Sequence, residues 1–463
     1  MNYDQYLSPL TWRYSSTELR TIWSESNKRK LWRKMWATLA EVQMEFGIVT
    51  PEQLEDLKNH VDDIDIEQSM LYESEIHHDL MAEIKTFSKQ CDIGKGIIHL
   101  GATSMDIEDN VDVIRIKESL DYIEKKLSAV LFSFSQQISK WADTPIMSFT
   151  HLQPAEPTTL GYRLAFYAQD LLDDYNELQT CKNRIKGKGF KGAVGTGASY
   201  IELIGKENFD QFDKRLSEII GIPFYKVTTQ VYPRKQDLTV INLLSAIAAS
   251  LYKFAMDVRI LQSPPIGELS EPFGEKQVGS SAMPFKRNPI RSEKINSLAR
   301  YLGNTPTIAW QNASLSMLER TLDDSANRRK ILPESFLICD ELLMATEKII
   351  SQININKEAI DKNFQTYAPF AATERLLMAL VKSGADRQEM HHIIREQSML
   401  AWQAIQNGKP NPLISNLNSY SVLKKYLTEK QIQQCLEINN YLGIAPINAR
   451  QISQIILNTL GKQ

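Results

Sequence analysis

Cysteine is scarce in this 463-residue chain: Cys91, Cys181, Cys339 and Cys435 lie far apart, with no Cys-x-x-Cys pair. That spacing argues against a disulfide framework and against a thiol-based zinc or redox motif. An excess of charge of one sign is missing as well. The 53 basic and 56 acidic residues leave a net charge of -3, so no bulk field exists to hold a nucleic-acid backbone or an anionic membrane. Neither is expected as a partner, and any bound anion must be held by a few placed cations. The most apolar stretch, 243–261, is interrupted by Lys253, Asp257 and Arg259, which favours a buried helix over a membrane span. The opening Met1-Asn2-Tyr3-Asp4-Gln5-Tyr6 carries neither a basic nor an apolar leader region, so no secretory signal is expected and the expected compartment is the cytoplasm. Sustained strand alternation, internal repeats and low-complexity tracts are all missing; only residues 224–231 could be extended.

What is present is helical periodicity, in a chain of ordinary globular composition with 43% hydrophobic and 24% charged residues. From 109 to 143, Ile116, Leu120, Ile123, Leu127, Val130, Phe134 and Ile138 recur at steps of three and four, the spacing of one helix face. A second run follows Pro157 through Leu160, Leu164, Tyr167, Leu171, Leu178, Cys181 and Ile185. The third, about 236–262, is apolar on several faces, and Pro264-Pro265 stops it. Each spans roughly seven turns or more, against about three in an average helix. Seams that long predict an all-α bundle completed by other subunits.

The flanks read as shorter helices, such as 30–46 closed by Gly47, and one opening on the Thr50-Pro51-Glu52-Gln53 capping box. A glycine-bearing stretch, 94–101, ends the first region, and shorter helices return after about Asn356. Three helical domains are expected: 1–104, 105–355 and 356–463.

Between Ser263 and Pro289 the pattern breaks down into punctuation by Pro264, Pro265, Gly267, Pro272, Gly274, Gly279 and Pro284. Structureless loops of this length are usually functional lids or disordered. Gly279-Ser280-Ser281 offers backbone N–H groups and hydroxyls, with Lys286, Arg287 and Asn288 close behind. Such a donor set suits a carboxylate that gains charge during a reaction.

The string from Gly279 to Pro289 resembles Gly-Ser-Ser-x-Met-Pro-x-Lys-x-Asn-Pro, the signature loop of the fumarase/aspartase superfamily. Its form with Ala282 and Lys286-Arg287-Asn288-Pro289 is similar to that of the adenylosuccinate lyase family. The resemblance implies a helical homotetramer, with sites assembled from three subunits, that eliminates fumarate from N-succinyl nucleotides. It implies no metal and no organic cofactor. Ser280 falls on the family's base, with Lys286 and Asn288 holding the carboxylate that takes up charge and Ser281 second to Ser280. His151, in Thr150-His151-Leu152-Gln153-Pro154-Ala155, matches the histidine that protonates the leaving nitrogen; imidazole titrates near pH ~6.5, as that role needs. His77-His78-Asp79 resembles the family's Arg-His-Asp, with His77 replacing arginine. Adjacent histidines on a helix point about 100° apart, which speaks against a shared metal, and His391-His392 receives no role. Arg13 and Tyr14 match a phosphate-contacting pair, Thr103 and Ser104 a pair that grips a succinyl carboxylate, and Gln230 a base-reading glutamine. Arg320, Ser325 and Arg329 match ribose and phosphate contacts, for which guanidinium forks are suited. Argininosuccinate lyase or a cycloisomerase on the same fold, and a non-catalytic scaffold, are the alternative readings. The cycloisomerase shares Lys-Arg-Asn-Pro but would not need Arg13, Arg320 and Arg329 together.

Overall fold

The computed structural model describes residues 4–439 and 441–462; Met1–Tyr3, the start of the segment read for a leader, lie outside them. The all-α expectation holds. The three periodic runs fold as helices Ser104–Lys140, Leu160–Arg184 and Lys235–Gln262. Two further long helices, Ser325–Ser351 and Lys357–Lys382, each carry an internal proline, Pro333 and Pro369. The second corrects the expectation of only shorter helices after Asn356. The predicted capping box forms, Gln53 N donating to Thr50 Oγ1 at 3.3 Å and Thr50 N to Gln53 Oε1 at 3.0 Å.

Two compact units make up the chain. The first comprises 1–127, 174–249 and 297–344. Its core gathers Trp32, Trp36, Leu80, Phe87, Ile107, Val111, Tyr200 and Phe212, each nearly or wholly buried. Here helices Ser104–Lys140 and Leu160–Arg184 are tied through Glu124, which accepts from Tyr175 Oη at 3.2 Å and pairs with Lys182.

The second unit comprises 128–173, 250–296 and 345–463. Three long helices meet in it through aromatic edges: the Phe254 ring lies 5.1 Å from Phe134 and 5.4 Å from Tyr167. A second core joins helix Lys357–Lys382 to helix Arg387–Gln406 through Phe364, Leu376, Met390 and Ile394. Helix Lys235–Gln262 is long and apolar enough to pass a membrane test by composition. Its charged residues are nonetheless engaged: Asp257 accepts from Tyr167 Oη at 2.7 Å, and Arg259 donates to Asn296 at 3.0 Å.

Two short strand pairs occur where the sequence shows no sustained alternation. Pro145–Thr150 and Gln153–Thr159 form an antiparallel hairpin, with its register shifting between Met147 and Phe149. Leu269–Ser270 also pairs with Asn354–Ile355. Residues 224–231 are mostly bends rather than a strand, with Phe224 bridged to Gly187.

Candidate active site

In the first unit, helices Asp79–Gln90, Ser104–Lys140 and Ser325–Ser351 all open onto one cleft of about 370 Å³. A helix start leaves backbone N–H groups without intrahelical partners and carries a partial positive charge. Three starts around one cleft bias it towards an anion. Of the residues called from sequence, the structure brings nine into this lining: His77, His78, Asp79, Thr103, Ser104, Gln230, Arg320, Ser325 and Arg329.

Local folding explains their placement. Helix Ile66–Ile76 ends on His77, which takes the left-handed conformation at φ 54°. His78 then caps the next helix, its Nδ1 accepting from Met81 N at 3.3 Å. A ring that accepts at Nδ1 carries its proton at Nε2 when neutral. Ser104 Oγ stands 3.5 Å from that Nε2. Arg329 Nη2 donates to Asp79 Oδ2 at 2.7 Å, and Arg320 Nη1 to Asp324 Oδ1 at 2.7 Å.

Behind the cleft lies a buried network absent from the sequence reading. Asp324 also accepts from Arg234 Nε at 2.7 Å, and Arg234 reaches Asp109 at 3.0 Å. Asp109 accepts from Tyr232 N at 2.9 Å, while Arg328 donates to Asp237 and to Tyr232 Oη at 2.8 Å each. The segment that carries Gln230 is thus clamped to the start of helix Ser325–Ser351. Charges this deeply buried are tolerated because each has a partner.

Two groups were missed entirely. Glu108 lines the cleft, and burial, reinforced by Asp79, Asp112 and Asp109, pushes its carboxyl up to about 8. Its position four residues after Ser104 was the available signal. His99, at φ 68°, accepts the Trp36 indole N–H on Nδ1 at 3.1 Å. Burial brings its pKa down to about 4.

Arg13 and Tyr14 are not among the residues lining the cleft. Their segment is pinned by Ser15 and Ser16, whose hydroxyls donate to Asp340 Oδ2 at 2.8 and 2.6 Å, and by Ser15 N, which donates to Glu341 at 2.8 Å. Exposed Arg13 lies 5.8 Å from the centroids of the Trp12 and Tyr14 rings.

The remaining called residues belong to the second unit. His151 and Leu152 form the two-residue tip of the hairpin, at φ 54° and 58°. Two successive positive φ values are what a type I′ turn requires, usually supplied by Asn-Gly. A histidine held there is exposed and strained by about 1–3 kcal/mol. The loop of Ser280, Ser281, Lys286 and Asn288 is closed at its base by buried Glu271, which accepts from Arg291 N at 3.1 Å and from Ser292 N. Asn288 Nδ2 donates to Gly279 O at 3.1 Å, closing the signature segment on itself. Ser280 Oγ accepts from the backbone N–H groups of Met283 at 3.1 Å and Ala282 at 3.3 Å. Two such donors are what an alkoxide at that oxygen needs. Ser281 and Lys286 are exposed. Among the described residues no group of three or more His, Cys, Asp or Glu is placed to hold a metal ion.

Residues 14–302 match the lyase family, and residues 369–451 match the C-terminal region of adenylosuccinate lyases. An adenylosuccinate lyase of Saccharomyces cerevisiae is 38% identical over 99% of this chain and 96% of its own length. One from Pyrococcus abyssi is 35% identical over 97% of each. The chain belongs to the adenylosuccinate lyase family. Its fold is shared more widely: a 3-carboxy-cis,cis-muconate lactonizing enzyme of Pseudomonas putida superposes with TM-score 0.85 at 22% identity, over 96% of this chain and 98% of that one. At that identity the likeness concerns the fold. Membership in the family makes this chain a lyase.

Proposed function

We propose that the chain cleaves adenylosuccinate to AMP and fumarate, and the succinylated aminoimidazole-carboxamide ribotide to its carboxamide and fumarate, in purine nucleotide synthesis. The observation that carries this reading is the single cleft where three helix starts meet Arg320, Ser325 and Arg329, a site for a phosphorylated, multiply anionic ligand. Thr103 and Ser104 would take a succinyl carboxylate, Gln230 the base or carboxamide, and Arg13 and Tyr14 the phosphate end. His77, His78 and Asp79 would contact substrate from the turn between their helices.

The reaction begins when Ser280, as the alkoxide supported by the Ala282 and Met283 amides, removes a proton from the carbon next to a succinyl carboxylate. The electron pair moves into that carboxylate, where Lys286 and Asn288 stabilise the added charge, with Ser281 alongside. Its return forms the carbon–carbon double bond of fumarate and breaks the carbon–nitrogen bond. His151 then gives its proton to the departing nitrogen. We propose a homotetramer, with Ser280 and His151 donated across subunits and the three sequence regions as its helical domains. Its support is the apolar surface left on long helices of the second unit, with Phe166 52%, Tyr162 40% and Met256 39% exposed. The compartment proposed is the cytoplasm, in keeping with four unpaired thiols.

The test is fumarate release from adenylosuccinate, the imidazole ribotide and argininosuccinate. Both nucleotides should be cleaved and argininosuccinate spared; no fumarate from either nucleotide sinks the reading. Ser280→Ala should bind adenylosuccinate with kcat lowered at least about a thousandfold. Near-normal turnover would move the base to another residue.

A further inference from the structure

Glu108 is an acidic residue of the cleft to which the proposed reaction gives no task. It stands one turn after Ser104 on helix Ser104–Lys140, and residues four apart share a helix face. It lines the main cleft and also an adjoining cavity of about 100 Å³; Asp79, Met105, Arg320, Ser325 and Arg329 are common to both. Among the described residues its carboxyl makes no hydrogen bond or salt bridge of its own. Arg329, the cation whose charge acts on it, donates to Asp79 at 2.7 Å.

The charges facing Glu108 come from every side. Its own helix supplies Asp109 and Asp112, the helix after His78 supplies Asp79, and helix Ser325–Ser351 supplies Arg329. Lys28, Arg115 and Arg328, in the smaller cavity, are already paired with Glu25, Asp112 and Asp237. Glu73, His77 and His78 stand along the larger one, and Arg320, common to both, is paired with Asp324. Burial and three carboxylates therefore outweigh one shared guanidinium, and at neutral pH the side chain is a neutral acid with an O–H to donate.

We propose that Glu108 is a specificity-determining residue, whose protonated carboxyl donates a hydrogen bond to a phosphoryl oxygen held by Ser325 and Arg329 and whose ionisation opposes that anion. The inference rests on the nucleotide reading of the cleft. A phosphate monoester loses its second proton near pH ~6, so above pH ~7 the ligand's charge is constant and the protein group is the one that changes. Because the anion favours protonated Glu108, binding on the alkaline side must draw a proton from solution.

Two measurements on the full-length enzyme test this. The first follows kcat and KM for adenylosuccinate from about pH 6.5 to about 9.5 in wild type and Glu108→Gln. The second titrates AMP by calorimetry near pH ~8.5 in buffers of different ionisation enthalpy. Wild-type KM should rise above pH about 8, approaching about tenfold per pH unit without a matching change in kcat. AMP binding should take up close to about one proton. Glu108→Gln keeps a donor but cannot titrate, so its KM should stay flat and its proton uptake vanish. An alkaline KM rise or proton uptake that survives in Glu108→Gln overturns the assignment. Should the variant fail to fold, wild-type AMP binding without proton uptake overturns it alone. An enzyme that binds no AMP at any pH sinks the nucleotide reading itself, and this inference with it.

Discussion

His78 caps helix Asp79–Gln90 with one ring nitrogen, Nδ1, and turns the other, Nε2, into the cleft towards Ser104. The two tasks can be separated by substitution. Asparagine is a strong N-cap and alanine a poor one, the difference being about 1 kcal/mol. His78→Asn should therefore unfold near the wild-type temperature, while His78→Ala unfolds earlier by about that free energy. If the ring also serves the substrate, both variants should lose kcat/KM by at least about tenfold. Thermal unfolding alongside steady-state kinetics checks this; full activity in His78→Asn would reduce the histidine to a cap. At this scale the site was partly legible in the sequence. His78, Ser104 and Arg329 could be matched to a motif, but Asp106 and Asp109 could not be recognised as buried. On helix Ser104–Lys140 they occupy positions that read as a solvated face, yet both are wholly enclosed. Their partners, Lys188 for Asp106 and Arg234 and Tyr232 N for Asp109, lie 82 to 125 residues further along the chain. Polarity marks a residue as wet only until a distant partner arrives.

Among the elements, helices Ser104–Lys140, Leu160–Arg184 and Lys235–Gln262 were the most legible, because an apolar stripe at three- and four-residue steps is an unbroken local signal. The hairpin at 145–159 was not. Its second strand carries Pro154 and Pro157, Glu156 is exposed, and the register shift interrupts any alternation. It is held from outside itself: Arg163 donates to Met147 O at 2.6 Å and to Glu268 at 2.8 Å. The Ser280 loop is likewise fixed at its base rather than along its length. Glu271, 5% exposed, accepts from the first turn of helix Ile290–Leu302, while Val278 and Phe285 stand 77% and 82% exposed. Glu271→Ala should therefore loosen the loop while leaving its sequence intact. Two charge-assisted bonds to backbone N–H groups are lost, for a destabilisation of about 2–4 kcal/mol. Trypsin should cut faster at Lys276, Lys286 or Arg287, and kcat should fall, because a lid without its hinge spends less time closed. Unchanged proteolysis would show that the loop is ordered by something other than its base.

For the whole molecule, the question is what the long helices are for. A monomer gains little from presenting Phe166, Tyr162 and Met256 to water, since large exposed apolar surfaces mark association. A symmetric oligomer buries them and also lets one chain supply a residue that another lacks. In the proposed tetramer the cleft of His78 and Arg329 and the loop of Ser280 that act together come from different chains. Two impaired variants should then rescue each other. Ser280→Ala and His78→Asn, each deficient by itself, would be mixed in equal amounts under conditions that let subunits exchange. Random assembly leaves both residues intact in about a quarter of the sites when they come from different subunits. Fumarate release from adenylosuccinate should recover towards that fraction, on the time scale of subunit exchange seen by light scattering. A site drawing both residues from one chain would recover nothing, since every chain in the mixture carries one defect. Failure to recover despite demonstrated exchange would therefore return the whole reaction to the single chain, and leave the exposed apolar helices to be explained without catalysis.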